Sequence, residues 1–362
     1  MGSEQGRGYS STHRLGRRWN PDGRPASRHP HRARIFGMIP SEWIDQADER
    51  IAPHIVRTPL THDAARNLFI KWENRQKTGS FKARGALNKV LSLEGWEREA
   101  GIVTASAGNH GQGVALAGQL TGARVTCFVS EHAVPVKVDA IRALGAEIVV
   151  VAGGYPEAES AGRKFAEENH KTWISPYNDG QVIAGQGTIG LELISTLTPS
   201  PSPKGRGEFT ILVPISGGGL IAGIGAALTR LSPRPRLVGV QPETAPFMHG
   251  LFYHGSQDGI PDLPSLADGL TGAVEADSVT IPMVKQLVDE IILVSEEEIA
   301  RAVAFAYREY GEVIEPSGAV TIAAALRGLA GGKSQMAIVS GGNIQPEVHA
   351  RIVADYAGEA RA

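Results

Sequence analysis

Three times in this chain a short apolar run stops at a turn built mostly from small residues. The turns are Ser106-Ala107-Gly108-Asn109-His110-Gly111, Ser216-Gly217-Gly218-Gly219-Leu220 and Ser340-Gly341-Gly342-Asn343. Apolar runs of this length without polar alternation read as strands buried on both faces, the pattern of parallel strands covered by helices. The run 101–106 leads into a helical stretch at 111–120, 124–130 into 134–144, and 209–215 into 220–231. Further strands read at 147–152, 237–241 and 336–340. This alternation predicts an α/β fold with open, mostly parallel twisted sheets and helices on both faces. At ~150 residues per domain, 362 residues make about two domains. The expectation is a small domain at 95–178 inserted into a large one made of 38–94 and 179–362.

Charge and cysteine content narrow the setting. The formal net charge is −2, yet residues 1–37 hold eight Arg against Glu4 and Asp22. That stretch reads as a disordered basic head. An Arg-rich, acid-poor leader suggests a targeting peptide or a nucleic-acid arm, but it lacks an amphipathic pattern and an apolar core. An upstream extension without function is the preferred reading. The Pro-, Ser- and Gly-rich stretch 198–208 reads as a surface insertion. The single cysteine, Cys127, excludes a disulfide framework, an iron–sulfur cluster and a cysteine zinc site, and points to a reducing compartment, the cytoplasm. Residues 209–228 run without a charge for long enough to span a bilayer. Pro214, Ser216 and the glycines fit a buried strand–turn–helix better, so neither membrane nor nucleic acid is an expected partner.

In open parallel sheets, ligands bind beyond the carboxyl ends of the strands. Glycine there admits a ligand close to the backbone, and the helix that follows offers unpaired N–H groups to an anion. Ser216–Leu220 is the strongest phosphate cradle, because it joins an apolar strand to a helix. Gly217–Ala222 also satisfies a loose G-x-G-x-x-A, so a nicotinamide-dependent oxidoreductase is a rival. Its ribose carboxylate should end the next strand, where Gln241 stands and Glu243 is displaced past a proline. A phosphate loop nearly forms at 328–334 but is one residue out of register. No G-x-S-x-G occurs, and no His, Asp and Glu cluster has zinc spacing.

The stretch from Lys71 to Ala86 reads KWENRQKTGSFKARGA. Thr78-Gly79-Ser80 is a turn and helix-start signal, which puts Lys82 in the first turn of a helix. The positive end of the helix dipole disfavours an ammonium there, and burial disfavours it further. A lysine that gives up its proton can form a Schiff base with a carbonyl. Taken alone, a surface lysine in a basic run (Lys71, Arg75, Lys77, Lys82, Arg84) is the commoner reading.

This stretch resembles the cofactor-lysine motif of the threonine dehydratase/serine racemase family, the fold type II enzymes that use pyridoxal 5'-phosphate. Further motifs of that family recur in order at Thr104–His110, at Ala184-Gly185-Gln186-Gly187-Thr188 and at Ser216–Leu220. Ala267-Asp268-Gly269, Glu315-Pro316-Ser317 and Ser340–Asn343 complete them, and the similarity spans about 40–355. The resemblance implies the fold type II architecture, pyridoxal phosphate as cofactor, a homodimer, and an ammonia-lyase acting on L-threonine or L-serine. It implies Lys82 as the cofactor-bearing residue and as the base at Cα. Phe81 would flank the pyridine ring, Asn109 meet its hydroxyl and Ser340 its nitrogen. Ser216, Gly217, Gly218, Gly219 and Leu220 would hold the phosphate. Ser80, Ser106, Ala107, Gly108 and His110 would meet the substrate, with a structural role for His110 left open.

Departures from the family pattern sharpen the reading. Racemases of the family carry a second serine where this chain has Ala107, which cannot transfer a proton, so serine racemase activity is the lesser alternative. Metal-dependent members carry acidic residues where Gln241 and Phe247 stand, so no divalent cation is expected there. Ser216 replaces a usual Gly, and Tyr177 stands in a stretch that often offers Asn. Both leave room for another 3-hydroxy amino acid, such as 3-hydroxyaspartate or phenylserine. Ala83-Arg84-Gly85 after the lysine disfavours sulfhydrylase-type replacement. About 20 residues follow Asn343, too few for a regulatory domain, so isoleucine feedback is not expected.

Overall fold

The last strand in the chain sits inside its sheet, not at an edge. The structure is a computed structural model that describes residues 38–197, 209–328 and 334–356. The basic head, the 198–208 insertion and most of the near phosphate loop lie outside the described residues. The strands are β1 Leu60–Asp63, β2 Leu68–Trp72, β3 Ile102–Ala105, β4 Val125–Ser130, β5 Glu147–Val151, β6 Thr172–Trp173, β7 Thr210–Pro214, β8 Arg236–Pro242, β9 Glu290–Val294 and β10 Gln335–Val339. The larger sheet runs β1-β2-β10-β7-β8-β9, parallel throughout except for the β1–β2 pair. The smaller runs β5-β4-β3-β6 and is all parallel.

Helices are α1 Ser41–Ile51, α2 Lys82–Leu91, α3 Gly95–Ala100, α4 Asn109–Thr121, α5 Pro135–Ala143, α6 Tyr155–Glu168, α7 Gly180–Leu197, α8 Gly219–Leu228, α9 Phe247–His254, α10 Thr280–Leu287, α11 Glu296–Tyr310, α12 Pro316–Leu326 and α13 Pro346–Asp355. Each inner strand of the larger sheet divides its residues between two cores, as the period of two demands. Leu212, Val240, Ala337 and Val339 pack with Ile299 and Val303 of α11 and Ile322 of α12. Ile211, Val213, Met336 and Ile338 pack with Ile224 of α8 and Met248 of α9. Burying each of these Leu, Ile, Val and Met side chains contributes ~1.5–3 kcal/mol, and two covered faces explain runs with no polar alternation. The uncharged stretch 209–228 is β7, its glycine turn and α8. Among the described residues, no helix is long and apolar enough to cross a membrane.

Strand order positions the site. Ala337 of β10 pairs with Ile70 of β2 on one side and Leu212 of β7 on the other. The carboxyl ends of these three strands therefore lie side by side. They release the turn that leads to Lys82, the Ser340 turn and the Ser216 loop. In the smaller sheet β3 releases Ser106–Gly108, and β6 releases the segment Ile174–Tyr177. Two helix boundaries differ from expectation by more than one residue: α8 ends at Leu228, three residues before the predicted 231, and α4 begins at Asn109, two residues before the predicted 111. Gly108 already supplies the carbonyl for the Gln112 N–H at 3.2 Å, so Asn109 and His110 belong to the first helical turn.

Candidate active site

Lys82 is presented by a tightly pinned turn. After β2 the chain passes through Thr78 and Gly79, both left-handed at φ 61° and 70°. Ser80 is extended and pairs with Gly341, and the Phe81 N–H donates to Ser340 O at 3.0 Å. Phe81 caps α2 without a side-chain bond, so Lys82 is the first helical residue. The expected turn and helix start is present, but neither hydroxyl does the capping: Thr78 Oγ1 and Ser80 Oγ are buried without a partner. Lys82 Nζ lies 5.2 Å from the Phe81 ring centre and donates to Pro176 O at 2.9 Å. Burial lowers its pKa to about 8, and the nearby Glu315 carboxyl only partly restores it. A substantial fraction of this amine is neutral near physiological pH.

Beneath the same helix turn lies a buried ionic cluster. Arg84 donates twice to Glu73, at 2.8 Å each, and to Glu192 Oε1 at 2.7 Å. Lys71 pairs with the other oxygen of Glu192 and donates to Thr58 O at 2.6 Å. Of the basic run in this stretch, Lys71 and Arg84 are thus buried and paired within the fold, while Arg75 pairs with Glu312 near the surface.

The Ser216 loop joins β7 to α8. Gly218 takes φ 84°, where a side chain would be strained, and α8 begins with no side-chain cap and no acidic residue in its first turn. The Tyr177 ring covers the loop. A Cβ at Gly217 would lie 2.5 Å from Tyr177 Cγ. The Tyr177 hydroxyl accepts from the Glu275 N–H at 3.0 Å, and Thr280 Oγ1 donates to Gly217 O at 2.6 Å. Pro176 touches the Lys82 amine while its neighbour Tyr177 touches the glycine loop, so one short segment links the two.

Asn109, Glu315 and Ser80 gather around Gly341, where a Cβ would lie 2.3 Å from Glu315 Oε1, 3.1 Å from Ser80 Cβ and 3.2 Å from Asn109 Nδ2. Asn109 Nδ2 donates to Glu315 Oε1 at 2.7 Å. Glu315 is buried at the start of α12; desolvation, aided by Asp268, raises its pKa to about 7 against the Asn109 hydrogen bond and the Lys137 and Lys82 charges. His110 is buried with Nε2 3.1 Å from Ile174 O. Burial, reinforced by the Lys82 charge, holds its pKa down at about 3. The ring is therefore neutral, donating through Nε2, with Nδ1 buried and unpartnered. Ser106 and Ala107 line a cavity of about 140 Å³ together with Phe128, Ser130 and Tyr155. Gly108 donates its N–H to Ser106 Oγ at 3.2 Å.

All the predicted positions thus fall on four strand-end turns, after β2, β3, β7 and β10, and the helix starts that follow them. Sequence reasoning did not single out Glu315 or Asn343 as more than motif residues. A carboxylate before Pro316 at a helix start was the available signal for the first. Gln241 is buried and accepts from the His249 N–H at 3.1 Å, while Phe247 packs in the apolar core. Among the described residues no group of three or more His, Cys, Asp or Glu could hold a metal ion.

A family profile described as "Pyridoxal-phosphate dependent enzyme" matches residues 51–341. The chain belongs to this family. It is 38% identical over 323 residues to the L-threonine ammonia-lyase of Thermotoga maritima, covering 87% of this chain and 78% of that protein. The L-threonine ammonia-lyase of Geobacter sulfurreducens is 40% identical, covering 85% and 76%. Among solved structures, maize serine racemase superposes with a TM-score of 0.78 at 32% identity, covering 89% of this chain and 98% of that one. The processed threonine deaminase isoform 2 of Solanum lycopersicum gives 0.77 at 30%, covering 89% and 96%. The two-sheet α/β architecture is that of these fold type II enzymes, and the cofactor of the family is pyridoxal phosphate. The residues present fit that cofactor: a buried amine of depressed pKa for its aldehyde, and an uncapped, glycine-lined helix start for its phosphate.

Proposed function

We propose that this enzyme is an ammonia-lyase that converts L-threonine, and L-serine with it, to a 2-oxo acid and ammonia by α,β-elimination. The observation that carries the reading is the Lys82 amine. It is desolvated to a pKa of about 8 and held by Pro176 O beside a segment that also covers the glycine loop. In this reading Lys82 would hold the cofactor through its aldehyde, and Phe81 would flank the ring. The loop of Ser216, Gly217, Gly218, Gly219 and Leu220 takes the phosphate on backbone N–H groups. Ser340 would meet the ring nitrogen and Asn109 the ring hydroxyl. When bound, the cofactor supplies the electron sink for loss of the Cα proton.

The chain's own groups do the rest. Neutral Lys82 would accept the Cα proton at Nζ. Ser80, Ser106, Ala107, Gly108 and the His110 turn orient the substrate carboxylate. The β-hydroxyl leaves as water, and the resulting enamine hydrolyses to the oxo acid and ammonia. Ala107 offers no proton on the opposite face of Cα, which favours elimination over racemisation. Residues 38–94 and 179–362 form the large domain of this reading and 95–178 the small one, in a cytoplasmic homodimer.

The test is release of 2-oxobutanoate from L-threonine, and of pyruvate from L-serine, by the protein loaded with pyridoxal phosphate. Oxo-acid release without D-serine formation is expected. Silence on both substrates, or D-serine formed faster than pyruvate, overturns the assignment.

A further inference from the structure

Asn343, in the turn after β10, spends both hydrogens of one carboxamide on two different parts of the site. Its Nδ2 donates to Thr78 O at 2.7 Å and to Asn109 Oδ1 at 2.6 Å. The polarity of this chain of bonds is anchored by chemistry. Thr78 O is a carbonyl and can only accept, so the atom of Asn343 that faces it must be the nitrogen. The same nitrogen then faces Asn109, which has to present its oxygen. Asn109 Nδ2 is left toward Glu315 Oε1 at 2.7 Å. Thr78 is itself pinned in the left-handed region at φ 61°, and Gly342 N–H donates to Gly79 O at 2.9 Å, so the anchor is well held.

We propose that Asn343 is a positioning residue that fixes which way the Asn109 carboxamide points, so that Asn109 offers its second N–H to the cofactor's ring oxygen. The inference rests on the reading that pyridoxal phosphate binds at this site with its ring hydroxyl at Asn109. Without Asn343, only the Glu315 carboxyl is left to orient the Asn109 amide, and when protonated it can donate as well as accept, so the amide can rotate by half a turn and present an acceptor where a donor is needed. The assignment is specific to the direction of the bonds: Asn343→Asp keeps the shape of the side chain but has no hydrogen to give, so it should behave like Asn343→Leu.

The experiment titrates the cofactor-free protein with pyridoxal phosphate and follows the visible absorbance of the bound form. Asn343→Leu and Asn343→Asp should each weaken cofactor binding about tenfold, the size of one lost directional hydrogen bond. In an Asn109→Ala background the same substitutions should cost less than twofold, because the residue acts through Asn109. A tenfold loss in both backgrounds means that Asn343 serves only to clamp the Thr78 turn, and overturns the proposal. So does unchanged affinity in both variants, each confirmed folded by thermal melting. The readout is cofactor binding, so unmodified protein that binds pyridoxal phosphate and leaves threonine intact counts against the lyase reading and not against this one.

Discussion

Lys82 and Arg84 are two residues apart at the start of one helix, and burial treats them in opposite ways. Arg84 meets two carboxylates, Glu73 and Glu192, and its pKa is raised despite the burial that opposes it. Lys82 has a carbonyl and an aromatic ring for neighbours, and burial lowers its pKa to about 8. A buried cation keeps its charge only where geometry brings it compensation. The first turn of α2 thereby holds both a charge-paired structural anchor and an amine that gives up its proton readily.

That contrast predicts a separation of effects. Lys82→Ala should lower oxo-acid release by roughly 10⁴-fold or more, since under the proposed mechanism both the covalent anchor and the base at Cα would be lost. Its cofactor-free form should unfold within about 1 kcal/mol of the parent, because no ion pair is broken. Retention of substantial turnover would break the comparison at its catalytic end. Arg84→Met should do the reverse. Glu73 and Glu192 would be left buried with only Lys71 to balance them, which costs about 3–5 kcal/mol in denaturant unfolding. A loss below about 1 kcal/mol would show that the cluster is not an anchor.

A third, smaller effect sharpens the picture from the acidic side. Glu315 has a pKa of about 7 in the fold, against 4.5 for an ordinary glutamate. Between those values the folded state keeps a proton that the unfolded chain has released. Burying Glu315 therefore lowers stability as pH rises toward 7 and leaves it unaffected below about 4. Glu315→Gln should be more stable than the parent at pH 8, by on the order of 3 kcal/mol, and equal to it at pH 4. An offset that is the same at both pH values would mean that the carboxyl titrates in the fold as it does in the unfolded chain.

What could be read beforehand follows from the range of the interactions involved. β7, β8 and β10 announce themselves because both their faces are buried, so the apolar run is a local signature. β6 has two residues, and β1 (Leu60–Asp63) has one apolar residue at an antiparallel edge, so neither carries such a signal. The glycine loop was legible as a cradle because a strand-to-helix junction is local too. Lys82 was distinguishable from Arg84 only through the family resemblance. Which cation finds Glu192 depends on α7, more than a hundred residues away along the chain. Tyr177 was noticed as a departure, but its packing on Gly217 needs the smaller sheet's exit segment to reach the larger one. Glu315 stayed hidden for the same reason: its environment comes from Asn109, Asp268 and Lys137, in separate parts of the chain.

The position of β10 has a consequence for how the protein is made. During synthesis β2 and β7 emerge long before the strand that separates them, and until it arrives each exposes an unpaired edge. Ser80 and Phe81 also wait for that strand, because their backbone partners are Gly341 and Ser340. A ribosome must therefore deliver β10, far beyond Lys82 in the chain, before the lysine turn is seated. Truncated nascent chains that end before β10 should be unable to capture the cofactor and should depend most on chaperones.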